Sequence, residues 1–377
     1  MGARRRALVI LASLMVMVAS TALLLVAASG TMDSRDTRRG IRVAGATAIS
    51  PALFKGEVLV WASRTLSATE VGRVRDSSKV AGISAVRTGL LPAISGKRSY
   101  PAIPVETMSI DPDAYTAAVG PAGRQLLNFL SRGGVVLSRT GAGLRKLRQG
   151  GHLRLTGSRS LTVSGVVDDR LLGGYEVVMD LEQGRRLGIT KVSYLLLRPR
   201  GSVATLQTAV RGLLHGRNLG FRLPGKVEWF RAGDVTLPLA QVKVRFGEFA
   251  VTSLTRPVLD PAWVKANITT QLIPVLGQVR CHRTVVADLG AAMADLQRQG
   301  LDALIDIAAV QRAGGCLQPR ARPAGLYHQA WGIALDLGGG TRVDQRLVTA
   351  MARHGFTWGG RWLRPAAGRF EWVGAGA

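Results

Sequence analysis

The residues of this 377-residue chain that could do chemistry are concentrated in its last quarter. Two segments hold them: Leu326-Tyr-His-Gln-Ala-Trp-Gly-Ile-Ala-Leu-Asp336, and Gly355-Phe-Thr-Trp-Gly-Gly-Arg-Trp-Leu-Arg-Pro-Ala-Ala-Gly-Arg-Phe-Glu-Trp372. They bring His328, Gln329, Asp336, Arg369 and Glu371 together with tryptophans suited to a cleft wall. A histidine and a carboxylate are metal ligands, but a catalytic zinc needs three protein ligands and one open position for water. Elsewhere the candidates are thinner. The carboxylate pairs Asp111/Asp113 and Asp168/Asp169 have the residue types for acid–base work, yet the first brackets Pro112 and the second precedes Arg170, and both read as turn formers. Cys281 and Cys316 are the only cysteines.

The two segments resemble the D-alanyl-D-alanine carboxypeptidase-like core of the M15 (VanY-type) peptidases. That family reads S-x-H-x-x-G-x-A-x-D, then G-F-x-W-G-G, then D-x-x-H-F-E-W; its two histidines and first aspartate hold zinc, and the later acidic residue is the general base. Anchored on its Gly and Asp, the first motif falls on Tyr327, Gln329, Gly332, Ala334 and Asp336. Anchored on Trp-Gly-Gly and Phe-Glu-Trp, the second places Ala366 at the base and Arg369 at the third ligand. The resemblance therefore implies a zinc framework in which only Asp336 is kept. Gln is a poor zinc ligand, Arg is a fixed cation with no lone pair to give, and Ala366 cannot accept a proton. His328 lies one residue from the ligand position. On an extended strand that shift turns it to the opposite face, unless a bulge rotates it back. His354 reads as a polar residue closing a helix. No metal is expected, with zinc bound only if the site is active through unusual ligands. Asp336, freed from metal, is expected to pair with Arg369. Relatives also place an arginine where Arg320 stands, which could grip a substrate carboxylate.

The elements around these residues set the compartment. Arg4-Arg5-Arg6 precede an uncharged run from Ala7 to Ala28, long enough as a helix to cross a hydrocarbon core of about 30 Å, with the arginines keeping its start cytoplasmic. Residues 1–30 are read as an anchor, with a cleaved signal peptide as the alternative, and 31–45 as a linker. The rest is then extracytoplasmic, where an isolated cysteine pair reads as a disulfide; closing about 35 residues, it is worth about 3–4 kcal/mol. The net charge of +26 is spread along the chain, and aromatic residues make up only 5%. No nucleic-acid motif accompanies the charge, so no nucleic-acid partner is expected. Anionic envelope polymers, lipid headgroups and the carboxylates of peptidoglycan stem peptides are expected instead.

Residues 46–255 give mixed signals for an α+β ectodomain. Strands are expected at Glu57-Val-Leu-Val-Trp61 and from Val80, with a capping box at Ser67 and Glu70. A hairpin is expected over Gly157-Ser158, where period-two alternation runs on both sides. The stretches Val105 to Tyr115, Gly134-Val-Val-Leu-Ser138, Leu144 to Gly157 and Val163-Ser-Gly-Val-Val-Asp168 resemble the periplasmic core domain of the MacB/FtsX family of transporter permeases. That implies an ectodomain that docks partners, without the family's other membrane spans or an ATPase. Pro257 and Pro261 mark a boundary. The C-terminal domain, 256–377, is expected to hold helices at Val285–Gln299 and Leu347–His354 and a strand over Leu304–Val310.

Three functions fit: an inactive M15-like domain retained for peptidoglycan binding or envelope assembly; an active zinc peptidase cleaving peptidoglycan stems; or a scaffold ectodomain partnering a permease or division complex.

Overall fold

The computed structural model of the protein describes residues 52–233, 237–322, 325–338 and 343–374. The expected anchor and linker lie outside the described residues, and no described helix is long and apolar enough to cross a membrane.

Strand-forming runs with apolar side chains on both faces build one mixed sheet. Its strands are β1 (Val58–Leu66), β2 (Val80–Ile94), β3 (Ala102–Ile110), β4 (Val135–Ser138), β5 (His152–Leu155), β6 (Arg159–Val167), β7 (Val177–Asp180), β8 (Val192–Pro199) and β9 (Leu219–Arg222). Their order is β3-β7-β4-β6-β5-β2-β8-β1-β9, and β2 also pairs with β3. The six strands from β3 round to β2 thus close into a ring, filled by Leu91, Val105, Leu137, Leu153, Leu155 and Val177 among others. Strand β2 makes this possible by being long. Its first half pairs with β8 and its second half, from Arg87 to Ile94, with β3.

Beyond the ring, alternate residues of β1 face opposite ways. Val58 and Val60 pack with α1 (Ala68–Arg75). Leu59 and Trp61 join Tyr115 of α2 (Pro112–Val119) and Leu126 of α3 (Gly123–Leu130). The caps are local and strong. Ser67 and Glu70 form the expected capping box. Asp111 accepts from the amides of Asp113 and Ala114 to start α2, and Asp168 accepts from Arg170 N. Both carboxylate pairs are thus used in turns and caps, with Asp169 accepting from the amide and hydroxyl of Thr140 at the start of α4 (Arg139–Arg145). Two further helices, α5 (Leu181–Arg186) and α6 (Val203–Leu213), complete this region.

A second core gathers α7 (Leu239–Phe246), α8 (Pro261–Asn267), the hairpin β10 (Ile268–Ile273) and β11 (Gly277–His282), and α9 (Val286–Arg298). Leu239, Val242 and Phe246 of α7 belong to this core, so its packing begins upstream of the proline pair at 257 and 261. The disulfide Cys281–Cys316 is formed inside it, with a Cα–Cα distance of 4.8 Å. The expected strand over Leu304–Val310 is instead a 3-10 turn at Asp302–Leu304 followed by α10 (Ile307–Arg312). Asp306 decides this, since its carboxylate caps Ala309 N at 2.8 Å and helix initiation prevails over a short apolar run. The remaining elements are β12 (Ala321–Arg322), β13 (Gly325–Leu326), β14 (Ala334–Asp336), α11 (Gln345–Arg353), β15 (Phe356–Trp358) and β16 (Arg369–Trp372). Strand β16 lies between β14 and β15.

Candidate functional site

The small sheet β14-β16-β15 positions the candidate residues. In its register Asp336 faces Arg369, Ala334 faces Glu371, and Thr357 faces Glu371 from the other side. Directly paired residues share a face, so Asp336, Arg369 and Glu371 lie on one surface. The motif's first half reaches that surface by a turn. His328–Trp331 is a 3-10 helix ended by Gly332 in the left-handed region (φ +70°). A side chain at Gly332 would meet the His282 backbone nitrogen at 2.9 Å, and the Gly332 carbonyl accepts from that same nitrogen. This glycine therefore locks the motif onto the disulfide-bearing hairpin.

Gln329, Asp336 and Arg369, expected at zinc-ligand positions, form one hydrogen-bonded cluster. Arg369 Nε donates to Asp336 Oδ1 at 2.7 Å and its terminal nitrogen to Oδ2 at 3.1 Å, a bidentate fork. Gln329 Nε2 donates to Asp336 Oδ2 at 3.0 Å. The Arg369 guanidinium also stands 5.7 Å from the centre of the Tyr327 ring. Gln329 is fully buried, whereas the Asp336 side chain is 39% exposed, so the cluster opens on its carboxylate side. Zinc does not fit these residues. Two of the three groups present N–H donors to the carboxylate, one of them on a permanent cation, where a metal needs lone pairs. Among the described residues no group of three His, Cys, Asp or Glu is placed to hold a metal ion.

His328 is not on the far side of an extended strand, as the spacing suggested. It lies in the 3-10 turn and is buried beside the cluster. Its Nδ1 is 2.8 Å from Glu371 Oε2, and its Nε2 donates to the Leu237 carbonyl at 3.1 Å. His328 is 2% and Glu371 5% exposed, so this pair is sealed from solvent, unlike the half-open Asp336. Arg320 is different. Tyr327 N donates to the Arg320 carbonyl, which sets the exposed Arg320 side chain on the same hairpin as the Tyr327 ring. Ala366 is in the loop before β16, where its carbonyl accepts from Arg369 N at 2.9 Å. His354 caps the end of α11 and contacts Asp295 at 3.4 Å.

No protein-family model matches this chain, and no curated protein matches it. Solved structures give partial likenesses. One is the periplasmic region of MacB from Actinobacillus actinomycetemcomitans, at 9% identity and a TM-score of 0.34, covering 45% of this chain and 90% of that one. Another is the extracellular domain of the noncanonic ABC-type transporter YknZ from Gram-positive bacteria, at 13% identity and a TM-score of 0.31, covering 44% and 98%. Similarity at this level says nothing of what the chain binds.

Sequence reasoning missed a second charge cluster, between the ring and α7. Glu176, fully buried, meets Arg145 at 2.8 Å and Lys243 at 2.8 Å. Those two cations also hold Glu248 at 2.8 and 3.1 Å, and the Lys243 ammonium bonds the Pro104 carbonyl. Alongside, Arg231 pairs with Glu106 at 2.9 Å and lies 4.1 Å over the Tyr175 ring, and Glu106 N donates to Glu176 Oε1. Burial alone would raise Glu176, but the Arg145 and Lys243 charges and the bonds from Lys243 and Glu106 N outweigh it and hold the carboxyl below its usual range. Nothing in the sequence separates these cations from the surface ones.

Proposed function

We propose that this chain is a membrane-anchored, extracytoplasmic envelope protein whose C-terminal domain keeps a carboxypeptidase-like framework as a binding device. The supporting observation is the convergence of Gln329, Asp336 and Arg369. Asp336 and Arg369 come from two motifs read on their glycines, tryptophans and one aspartate, lie more than thirty residues apart, and meet with Gln329 in one hydrogen-bonded cluster. A fixed guanidinium has taken the place of the metal's charge, and Ala366 leaves no base. Such a site cannot activate water, but it can orient an anionic ligand. The ligand class is the terminal carboxylate of a peptidoglycan stem peptide, held by the exposed Arg320 while Arg369 stays paired with Asp336.

One charge-assisted contact contributes about 1.5–3 kcal/mol. Binding in about the high-micromolar range, weakened by salt, is therefore expected. Titrating the full chain in neutral detergent with D-Ala-terminated stem peptides at low and high salt tests this. Binding that disappears in Arg320→Ala supports the receptor reading. Absence of binding at low salt moves the function to a scaffold within an envelope complex.

A further inference from the structure

The ring carries a second candidate site that does not depend on the C-terminal reading. The loop between β2 and β3 and the turn between β5 and β6 lie side by side, because Thr156 N donates to the Pro92 carbonyl at 2.9 Å and Ala93 pairs with Leu155. Between them is a groove of about 530 Å3. Lys97, Arg98, Arg154 and Arg159 line it together with hydroxyl residues such as Ser158 and Ser160, and its lining contains no carboxylate. Lys97 is engaged, since its ammonium pairs with Asp260, the residue that caps α8. Arg98, Arg154 and Arg159 are exposed, and their side chains have no hydrogen-bond or ion-pair partner among the described residues.

Arg154 faces Ser160 across the β5–β6 ladder and Arg159 faces Leu155, so the two arginines start from opposite faces of the hairpin end, and both border the groove at its tip. The β2–β3 loop brings Arg98 to the same concavity. The charged residues of the buried network are mutually paired, whereas here three like charges share a groove without an acid. Like charges held together repel, and a concave wall concentrates their field on whatever anion enters. Guanidinium forks match phosphate oxygens two at a time, and the neighbouring hydroxyls can donate to the same oxygens. A lone peptide carboxylate brings one negative charge against three cations. A run of phosphates supplies one charge per group, at the density the groove presents.

We propose that this groove binds a run of consecutive phosphate groups, as in a linear phosphate or phosphodiester polymer. The test uses the full chain in neutral detergent with a short labelled linear polyphosphate as probe. The groove variant is Arg98→Gln/Arg154→Gln/Arg159→Gln. The control removes the same charge elsewhere through the exposed Arg64→Gln/Arg124→Gln/Arg312→Gln. Loss of three phosphate contacts should weaken binding by about ten-fold or more and lower the slope of log affinity against log salt by about three, while the control changes affinity by under about two-fold. Equal weakening in both variants would show that only diffuse net charge is sensed, and would overturn the proposal. So would glycerophosphoglycerol, a lipid headgroup without its chains, binding as tightly as the polyphosphate, because the groove would then hold a single phosphate and not a run.

Discussion

Two charge clusters in this protein are built from the same residue types and do opposite things. The one at Glu176 is sealed: the side chains of Glu176, Lys243, Glu106 and Arg231 are all under 5% exposed, and every charge has an opposite partner. It joins the ring, through Glu176 and the Pro104 carbonyl, to Lys243 of α7, the first helix of the C-terminal core. The one at Asp336 is half open, with a bidentate arginine on one side and solvent on the other. Full burial turns ionic groups into a fixed joint, because any lost partner leaves a charge in a low-dielectric interior. Partial exposure leaves them cheap to disturb and able to meet a ligand.

The comparison breaks first at Lys243. Lys243→Met removes one partner and leaves Glu176 and Glu248 short of compensation, which should cost about 3–5 kcal/mol. Denaturant unfolding measures it, and a loss below about 1 kcal/mol, the scale of exposed pairs, would erase the distinction between the clusters. Next is the disulfide that supports the Asp336 side. Replacing both Cys281 and Cys316 with serine should cost about 2–4 kcal/mol, seen as a lower Tm of the C-terminal core.

Acid should sharpen the contrast. Burial drops the His282 imidazole to about 4, against the pull of the Phe246 carbonyl and with Arg283 lowering it further. Above its ordinary value of 6.5 the ring is neutral both folded and unfolded. As pH falls from there towards 4 the unfolded chain takes up a proton that the folded one refuses, and stability is lost. Glu176, held low by its cations, acts in the same direction further down: its contribution is present above the ordinary carboxylate range and is lost in stronger acid. The Tm difference between wild type and His282→Gln should therefore change as pH falls from 6.5 towards 4, the wild type losing ground, while Glu57, whose burial raises its carboxyl to about 7, acts in the opposite direction equally in both. Parallel Tm curves for wild type and variant across that range would remove His282 as a cause.

The smallest effect belongs to the open cluster. Asp336→Asn should change stability by about 1 kcal/mol or less, because a part-exposed pair is screened by solvent, and Arg320→Ala by less than about 0.5 kcal/mol. A loss of several kcal/mol on Asp336→Asn would mean that the cluster is a structural joint like the other.

Local signals account for what the sequence made legible. The capping box at Ser67 and Glu70, the β5–β6 hairpin, the helices at 286–298 and 345–353 and the cysteine pair all rest on residues a few positions apart or on a chemistry with a single partner. Ring closure was not legible, because β3 pairs in parallel with β7 and in antiparallel with β2 across long separations that no local period encodes. The 3-10 turn at His328 was missed for a related reason: a motif read as extended is bent by Gly332 against the Cys281–His282 hairpin. At the open cluster the anchoring glycines and tryptophans were enough to nominate Gln329, Asp336 and Arg369. At the sealed cluster, composition cannot say which of 50 Lys and Arg residues are inside.

The proposed function rests on an arginine–carboxylate–amide cluster standing where a carboxypeptidase-like framework would hold zinc. Zinc per chain, measured by elemental analysis of purified full-length wild type beside Gln329→His/Arg369→His/Ala366→Asp, tests it most directly. The account predicts no stoichiometric zinc in the wild type and about one per chain in the variant, since two histidines and Asp336 would restore three ligands. One zinc per wild-type chain that is lost in Asp336→Asn would contradict it.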